Sequence, residues 1–232
     1  MTRTVDRTAA PGRRFAAGNA LGYDARIGHL VPGYAELHEI SAAVLAARLP
    51  VSARILVAGA GTGTETLALA QANPAWEVVG VDPSADMLAV ARRRAALADL
   101  PNARFVEGYV SGLADPMPFD AALSLLVMHF LAGDQAKSGY LAQIADRLRP
   151  GAPLLLCDLT EHDDDDLDVM AEYARARYVD PQSLSALRQR MAEDFYPVSD
   201  QRLQRLGEAA GFSPPRPYFR GVAFVANELR RS

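Results

Sequence analysis

Apolar residues recur at Leu37, Ile40, Val44, Leu45 and Leu49 of YAELHEISAAVLAARL, residues 34–49. Steps of three and four predict an amphipathic helix, which Pro50 stops. The period then changes. RILVA (54–58) is a continuous aliphatic run that reads as a buried strand, followed by a small-residue turn at 59–63 and a helical stretch at 64–72. EVVGV (77–81) predicts a second strand, and a helix from about residue 85 to 97 follows Asp82-Pro83-Ser84. RFVE (104–107), FDAALSLLV (119–127) and LLLCDL (154–159) extend the series to five strands. A helix over 136–148 sits between the last two and ends at Arg149-Pro150-Gly151, a turn that cannot continue it. Strands alternating with helices imply an α/β fold, a mostly parallel sheet with helices on both faces.

Beyond Thr160 the pattern shifts. Asp163, Asp164, Asp165 and Asp166 form a four-carboxylate run read as a solvated loop, and 168–196 is Arg-rich and helical in character. A helix is expected over 200–210, with a stop at Gly211, then two β-like stretches at 217–219 and 222–227. Residues 1–20 have little periodicity. The expected organisation is one domain over 1–232, with an N-terminal arm or lid at 1–34 and a helical insertion at 160–195.

Composition narrows the function classes. Half of the 232 residues are hydrophobic and 22% are charged, which excludes disorder of the whole chain. The longest apolar stretch, 121–133, is too short to span a bilayer, and MTRTVDRTAAPGRRF contains no apolar run of the secretory kind. A net charge of −4 gives no electrostatic footprint for a nucleic-acid backbone. Cys157 is the only cysteine, so neither an internal disulfide nor a thiolate-cluster metal site can form. The expectation is a cytoplasmic protein that handles a small molecule, with no membrane, nucleic-acid or metal partner. The four arginines Arg175, Arg177, Arg188 and Arg190 read first as a salt-bridged exposed face; contact with an acidic substrate, RNA or a second subunit, as in a homodimer, is the alternative.

The chemistry concentrates at VAGAGTG, where a strand runs into Gly59, Ala60, Gly61, Thr62 and Gly63 and then a helix. Glycines there let backbone approach a ligand without an intervening Cβ. Their G-x-G-x-G spacing puts Thr64 where a dinucleotide fingerprint needs its third glycine, which argues against NAD or FAD. Walker-type loops are excluded because the only lysine is Lys137. Asp82 ends the second strand 19 residues after Gly63. It reads either as an acceptor for both ribose hydroxyls of a nucleoside or as the N-cap of the following helix.

Together, VAGAGTG and VVGVDPSADMLAVARRRA resemble motifs I and II of the class I S-adenosylmethionine (SAM)-dependent methyltransferases, and the resemblance extends over 20–228. It implies a Rossmann-like seven-stranded sheet with a C-terminal antiparallel strand pair, SAM as cofactor and S-adenosylhomocysteine (SAH) as product. By the same resemblance Gly59, Ala60, Gly61 and Gly63 wrap the methionine end and ribose, Asp82 binds the ribose, Pro83 and Met87 pack against the adenine edge, Tyr109 stacks on or borders the adenine, and Val110 and Leu125 complete the cofactor-binding set. Two positions depart from the family. Val57 stands where an acid usually helps orient the methionine amino group, and Tyr109 where an Asp usually reaches the adenine amine.

Tyr23-Asp24-Ala25-Arg26 with Val31-Pro32-Gly33-Tyr34, and the ending Tyr218-Phe219-Arg220-Gly221-Val222-Ala223-Phe224, are similar to bacterial carboxy-SAM synthases. That group holds the extra carboxylate with an Arg, where this chain aligns Gln189. Carboxy-SAM is therefore the alternative ligand, and binding of SAM or SAH without turnover the alternative activity. Methyl transfer needs mainly an in-line nucleophile, exclusion of water and sometimes a base. His129 and Tyr34 are the catalytic candidates, and Tyr23, Arg26, Asp158 and Tyr218 the substrate-side ones. His129 reads as a general base or as a half-buried polar group, and Asp158 as a pocket residue or a turn cap.

Overall fold

The structure, a computed structural model, describes residues 22–177 and 179–232. The first 21 residues of the expected arm lie outside the described residues. Seven strands, β1 (Arg54–Ala58), β2 (Glu77–Asp82), β3 (Ala103–Glu107), β4 (Ala121–Leu125), β5 (Pro153–Leu159), β6 (Arg216–Gly221) and β7 (Phe224–Arg230), form one sheet in the order β3-β2-β1-β4-β5-β7-β6. Strands β1 to β5 pair in parallel, and β7 inserts antiparallel between β5 and β6.

Alternation along each strand feeds two cores. From β1, Ile55 and Val57 face one, and Leu56 and Ala58 the other. The first core is covered by α2 (Tyr34–Ala46), α3 (Thr64–Ala72) and α4 (Ala85–Leu97), through Leu37, Leu45, Leu69 and Leu88. The second is covered by α5 (Gly133–Ala145) and α8 (Asp200–Ala209), through Leu141, Ile144, Leu203 and Leu206. Because neighbours β1 and β4 carry their chain onward to opposite sides, a crevice opens beyond their carboxyl ends, the usual ligand position in such sheets. Among the described residues no helix is long and apolar enough to cross a membrane.

Several boundaries differ from the sequence expectation for local reasons. The fourth strand is Ala121–Leu125, shorter than 119–127: Phe119 keeps only an isolated bridge to Leu148, and Leu126 turns to a left-handed φ of 62°. The helix expected over 136–148 is shifted to Gly133–Ala145. The arm contains a helix, α1 (Tyr23–Leu30), that hydrophobic periodicity does not reveal, since it has no fully buried residue. The insertion is two helices, α6 (Asp164–Arg175) and α7 (Pro181–Asp194). Asp180 starts the second by accepting from Ser183 N–H at 2.9 Å. The four-carboxylate run is a helix start rather than a loop. Asp163 caps α6 by accepting from Asp166 N–H, and the other three sit in the first turn, where the helix dipole favours anions. Cys157 is buried in β5, and burial pushes its thiol pKa up.

Candidate functional site

The glycine turn leaves β1 through left-handed backbone that side chains resist. Gly59 has φ 84°, and a Cβ there would lie 2.3 Å from Val127 Cγ2. Gly59 and Ala60 both donate to Val81 C=O, at 2.8 and 3.1 Å, which ties the turn to the end of β2. Gly61 N–H donates to Asp82 Oδ2 at 2.9 Å, and Ser84 N–H to Asp82 Oδ1 at 2.8 Å. The cap of α4 belongs to Ser84, whose hydroxyl accepts from Met87 N–H. Asp82 is thus not the helix cap; it links the two motifs. Burial raises its pKa, against the opposing effect of the two N–H donors.

Around this link lies a cleft of about 1000 Å³, mouth included, at the carboxyl ends of β1, β2 and β4. Of the residues singled out from sequence, Tyr23, Tyr34, Gly59, Ala60, Gly61, Asp82, Pro83, Met87, Tyr109, Val110 and Leu125 line it. Gly63 does not. It takes φ 86° at the start of α3, and a Cβ there would lie 2.9 Å from Ala91 Cβ and 3.1 Å from Phe105, so close packing explains this glycine. Sequence reading missed Asp24, Thr62, Thr64, Glu65, Phe130, Leu131 and Tyr140, which also line the cleft. Thr64 and Glu65 open the helix that begins at the glycine turn, a placement that proximity to VAGAGTG could have flagged.

Four candidates fall elsewhere. Arg26 is exposed on α1. Tyr218 bonds Ser41 Oγ at 2.8 Å, away from the cleft. His129 is 4% exposed and stacks against Phe130 and Phe195, with its Nδ1 bonded to Asp158. Asp158 also accepts from Met128 N–H at 2.8 Å and His129 N–H at 3.0 Å. Lys137 Nζ donates to Met128 C=O at 2.7 Å. This buried network fixes the 3₁₀ turn Met128–Phe130, beside which Val127, Phe130 and Leu131 form one wall of the cleft. The general-base reading of His129 is corrected accordingly: the imidazole faces Asp158 and the core instead of the ligand space. Residues 164–194 also contribute no lining residue among those described; α6 packs against α1 and buttresses it from behind.

Helix α1 is latched over the cleft. Asp24 accepts from Thr62 Oγ1 at 2.5 Å and from Arg94 Nη1 at 2.7 Å. Burial raises the pKa values of Tyr23 and Tyr34, and the Glu65 carboxylate raises both further, so these phenols stay neutral at physiological pH. Tyr34 can therefore orient a nucleophile but is no ionised base.

The lining suits a cationic nucleoside. Carboxylates at Asp24, Glu65 and Asp82 complement positive charge, the bare backbone of Gly61 admits close approach, and Pro83, Met87, Tyr109 and Val110 offer apolar surface for a base. No Lys or Arg lines the cleft among the described residues. Nor do three or more His, Cys, Asp or Glu side chains gather in a metal-binding group among them.

A methyltransferase domain profile matches residues 55–151. The chain is 26% identical over 212 residues to the carboxy-S-adenosyl-L-methionine synthase of Campylobacter hominis, covering 88% of each. It is 37% identical over 114 residues to the trans-aconitate 2-methyltransferase of Deinococcus radiodurans, a match spanning 48% of this chain and only 40% of that one. The magnesium protoporphyrin IX methyltransferase of Synechocystis PCC 6803, solved with bound SAM, shares the fold with a TM-score of 0.66 at 17% identity, over 100% of both chains.

Proposed function

We propose that the chain is a class I SAM-dependent methyltransferase that transfers a methyl group to a small-molecule acceptor in the cytoplasm. The observation that carries this reading is the Asp82 carboxylate, tied by Gly61 and Ser84 N–H groups in a cleft whose lining also includes Pro83, Met87 and Tyr109. In this reading Asp82 holds the ribose, Pro83, Met87, Tyr109 and Val110 border the adenine, and Gly59 to Gly61 bring backbone against the ligand. Bound SAM supplies an electrophilic methyl on a sulfonium. The protein's own part is to hold the acceptor in line and exclude water. Tyr23, Tyr34, Phe130 and Leu131 supply that enclosure, and the neutral Tyr34 phenol orients the nucleophile. The negative lining favours a neutral or cationic acceptor over a polycarboxylate, and the chain's net charge of −4 favours a small molecule over nucleic acid.

Carboxy-SAM synthesis is the second reading, supported by the relation that runs through 88% of the chain. Against it, Gln189 is exposed on α7 and bonded to Glu193, and Arg188 pairs with Asp168. No described cation is thereby aimed at a second carboxylate.

Calorimetry with SAM, SAH, carboxy-SAM and NAD tests the proposal. SAM and SAH are expected to bind and NAD to fail. Asp82→Ala is expected to weaken SAH binding at least tenfold, about 1.4 kcal/mol. Unchanged affinity in a folded Asp82→Ala protein would remove Asp82 from the site, and tighter binding of carboxy-SAM than of SAM would favour the second reading.

A further inference from the structure

An ammonium group taken into a cleft needs an acceptor, because stripping water from an unpaired charge is costly. The methionine end of the proposed cofactor carries one. At the sequence position where an acid is expected the chain has Val57, which is 2% exposed and packs into the first core. The cleft has acid from other elements instead. Asp24 already spends one oxygen on Thr62 and the other on Arg94. Glu65 does not. Its side chain is 12% exposed and stands beside the glycine turn, and Oε1 meets His38 Nε2 at 2.9 Å. Oε2 has no partner among the described residues.

The hydrogen bonds of His38 define how Glu65 is held. His38 Nδ1 lies 2.6 Å from the Tyr34 carbonyl oxygen, which can only accept, so Nδ1 carries a proton. Nε2 faces a carboxylate and donates as well. The ring is therefore an imidazolium clamped between a carbonyl and Glu65, with the Tyr34 ring packed edge-on at 4.4 Å. An exposed glutamate would lose side-chain freedom on binding a ligand; this one is already fixed.

Building on the cofactor reading above, we propose that Glu65, braced by His38, accepts the methionine ammonium in place of an acid on β1, and so makes the site selective for ligands with an intact amino-acid end. Glu65 is then a binding residue and His38 a positioning residue. The negative end of the cleft moves from the strand to the first turn of α3, and the vacated strand position is filled by core packing.

The test is calorimetry on the full chain with three probes: SAH, its analogue with the amine replaced by hydrogen, and methylthioadenosine, which lacks the amino-acid end. Wild type is expected to bind SAH at least tenfold tighter than the deaminated analogue. Glu65→Gln is expected to weaken SAH tenfold or more, to leave methylthioadenosine within twofold, and to erase the preference for SAH over the deaminated analogue. His38→Leu is expected to give the same split in milder form, which a general loss of stability would not do. Equal SAH affinity in Glu65→Gln and wild type overturns the proposal, and so does an equal loss for SAH and methylthioadenosine. If Glu65→Gln fails to fold, the wild-type comparison decides: no preference for the amine overturns it. Failure of wild type to bind both SAH and methylthioadenosine would instead remove the cofactor reading on which it rests.

Discussion

Lys137 is the chain's only lysine and has no exposed surface. Burial lowers its pKa to about 8 from 10.5, with Asp158 acting in the opposite direction. Between those values the unfolded chain holds a proton that the folded one has released, so this group's contribution to stability rises with pH through that window. At about 1.4 kcal/mol per unit, the full swing is on the order of 3 kcal/mol. We predict that the unfolding free energy of wild type minus that of Lys137→Met increases between about pH 7.5 and about pH 10 in denaturant titrations; subtraction cancels the tyrosines common to both. A flat difference would mean that Lys137 titrates as a solvated amine. The sequence could not announce this residue, since a lone lysine on a predicted helix reads as surface until its neighbours are known. Asp82 was half legible in the same way. Its spacing from the glycines indicated a ligand role, whereas giving the cap to Ser84 required the bond to Gly61.

At the scale of elements, the most informative discrepancy is the early end of β4. An apolar run through Val127 looks like continuing strand, but the chain leaves the sheet at Leu126, whose N–H donates to Cys157 C=O at 2.7 Å. The turn that follows is held from β5 by Asp158, which accepts two backbone N–H groups and the His129 ring. These partners are 29 and 30 residues apart in sequence, so no local period encodes them. Replacing Asp158 by Ala orphans buried donors at about 1–3 kcal/mol each. Asp158→Ala is therefore expected to lower the urea midpoint markedly and to weaken SAH binding through the displaced wall of Val127, Phe130 and Leu131. Asp158→Asn, which keeps a carbonyl acceptor, should lose less of both. If Asp158→Ala kept wild-type stability, the turn would be held by packing alone. The helical character of 168–196 was read from the sequence, but its division into α6 and α7 was not, although Asp180 before Pro181 carries a helix-start signal; α1 lacked any such mark.

Across the whole molecule, the alternation of strands and helices and the two cofactor motifs were readable, and with them the parallel part of the sheet. The partnership between the ends of the chain was not. The two motifs that resemble carboxy-SAM synthases meet each other, and only the N-terminal one also reaches the cleft. A Cβ on Gly33 would lie 2.7 Å from the Phe219 ring, and one on Gly221 would lie 2.1 Å from the Pro32 carbonyl oxygen. Tyr218 adds its bond to Ser41 on α2. The β6–β7 hairpin is thus the seat on which the α1–α2 segment rests, and that segment brings Tyr23, Asp24 and Tyr34 to the cleft. Gly221→Ala must push the seat and the segment apart, with an overpacking cost of about 1–3 kcal/mol. It is expected to weaken SAH binding although Gly221 does not line the cleft, and to speed proteolysis within residues 22–34. Gly139→Ala is the control: it lies in α5 with open space around it, so it should leave binding unchanged and gain up to about 1 kcal/mol of stability. Unaltered SAH affinity in a destabilised Gly221→Ala protein would show that the hairpin supports the fold without setting the position of the α1–α2 segment.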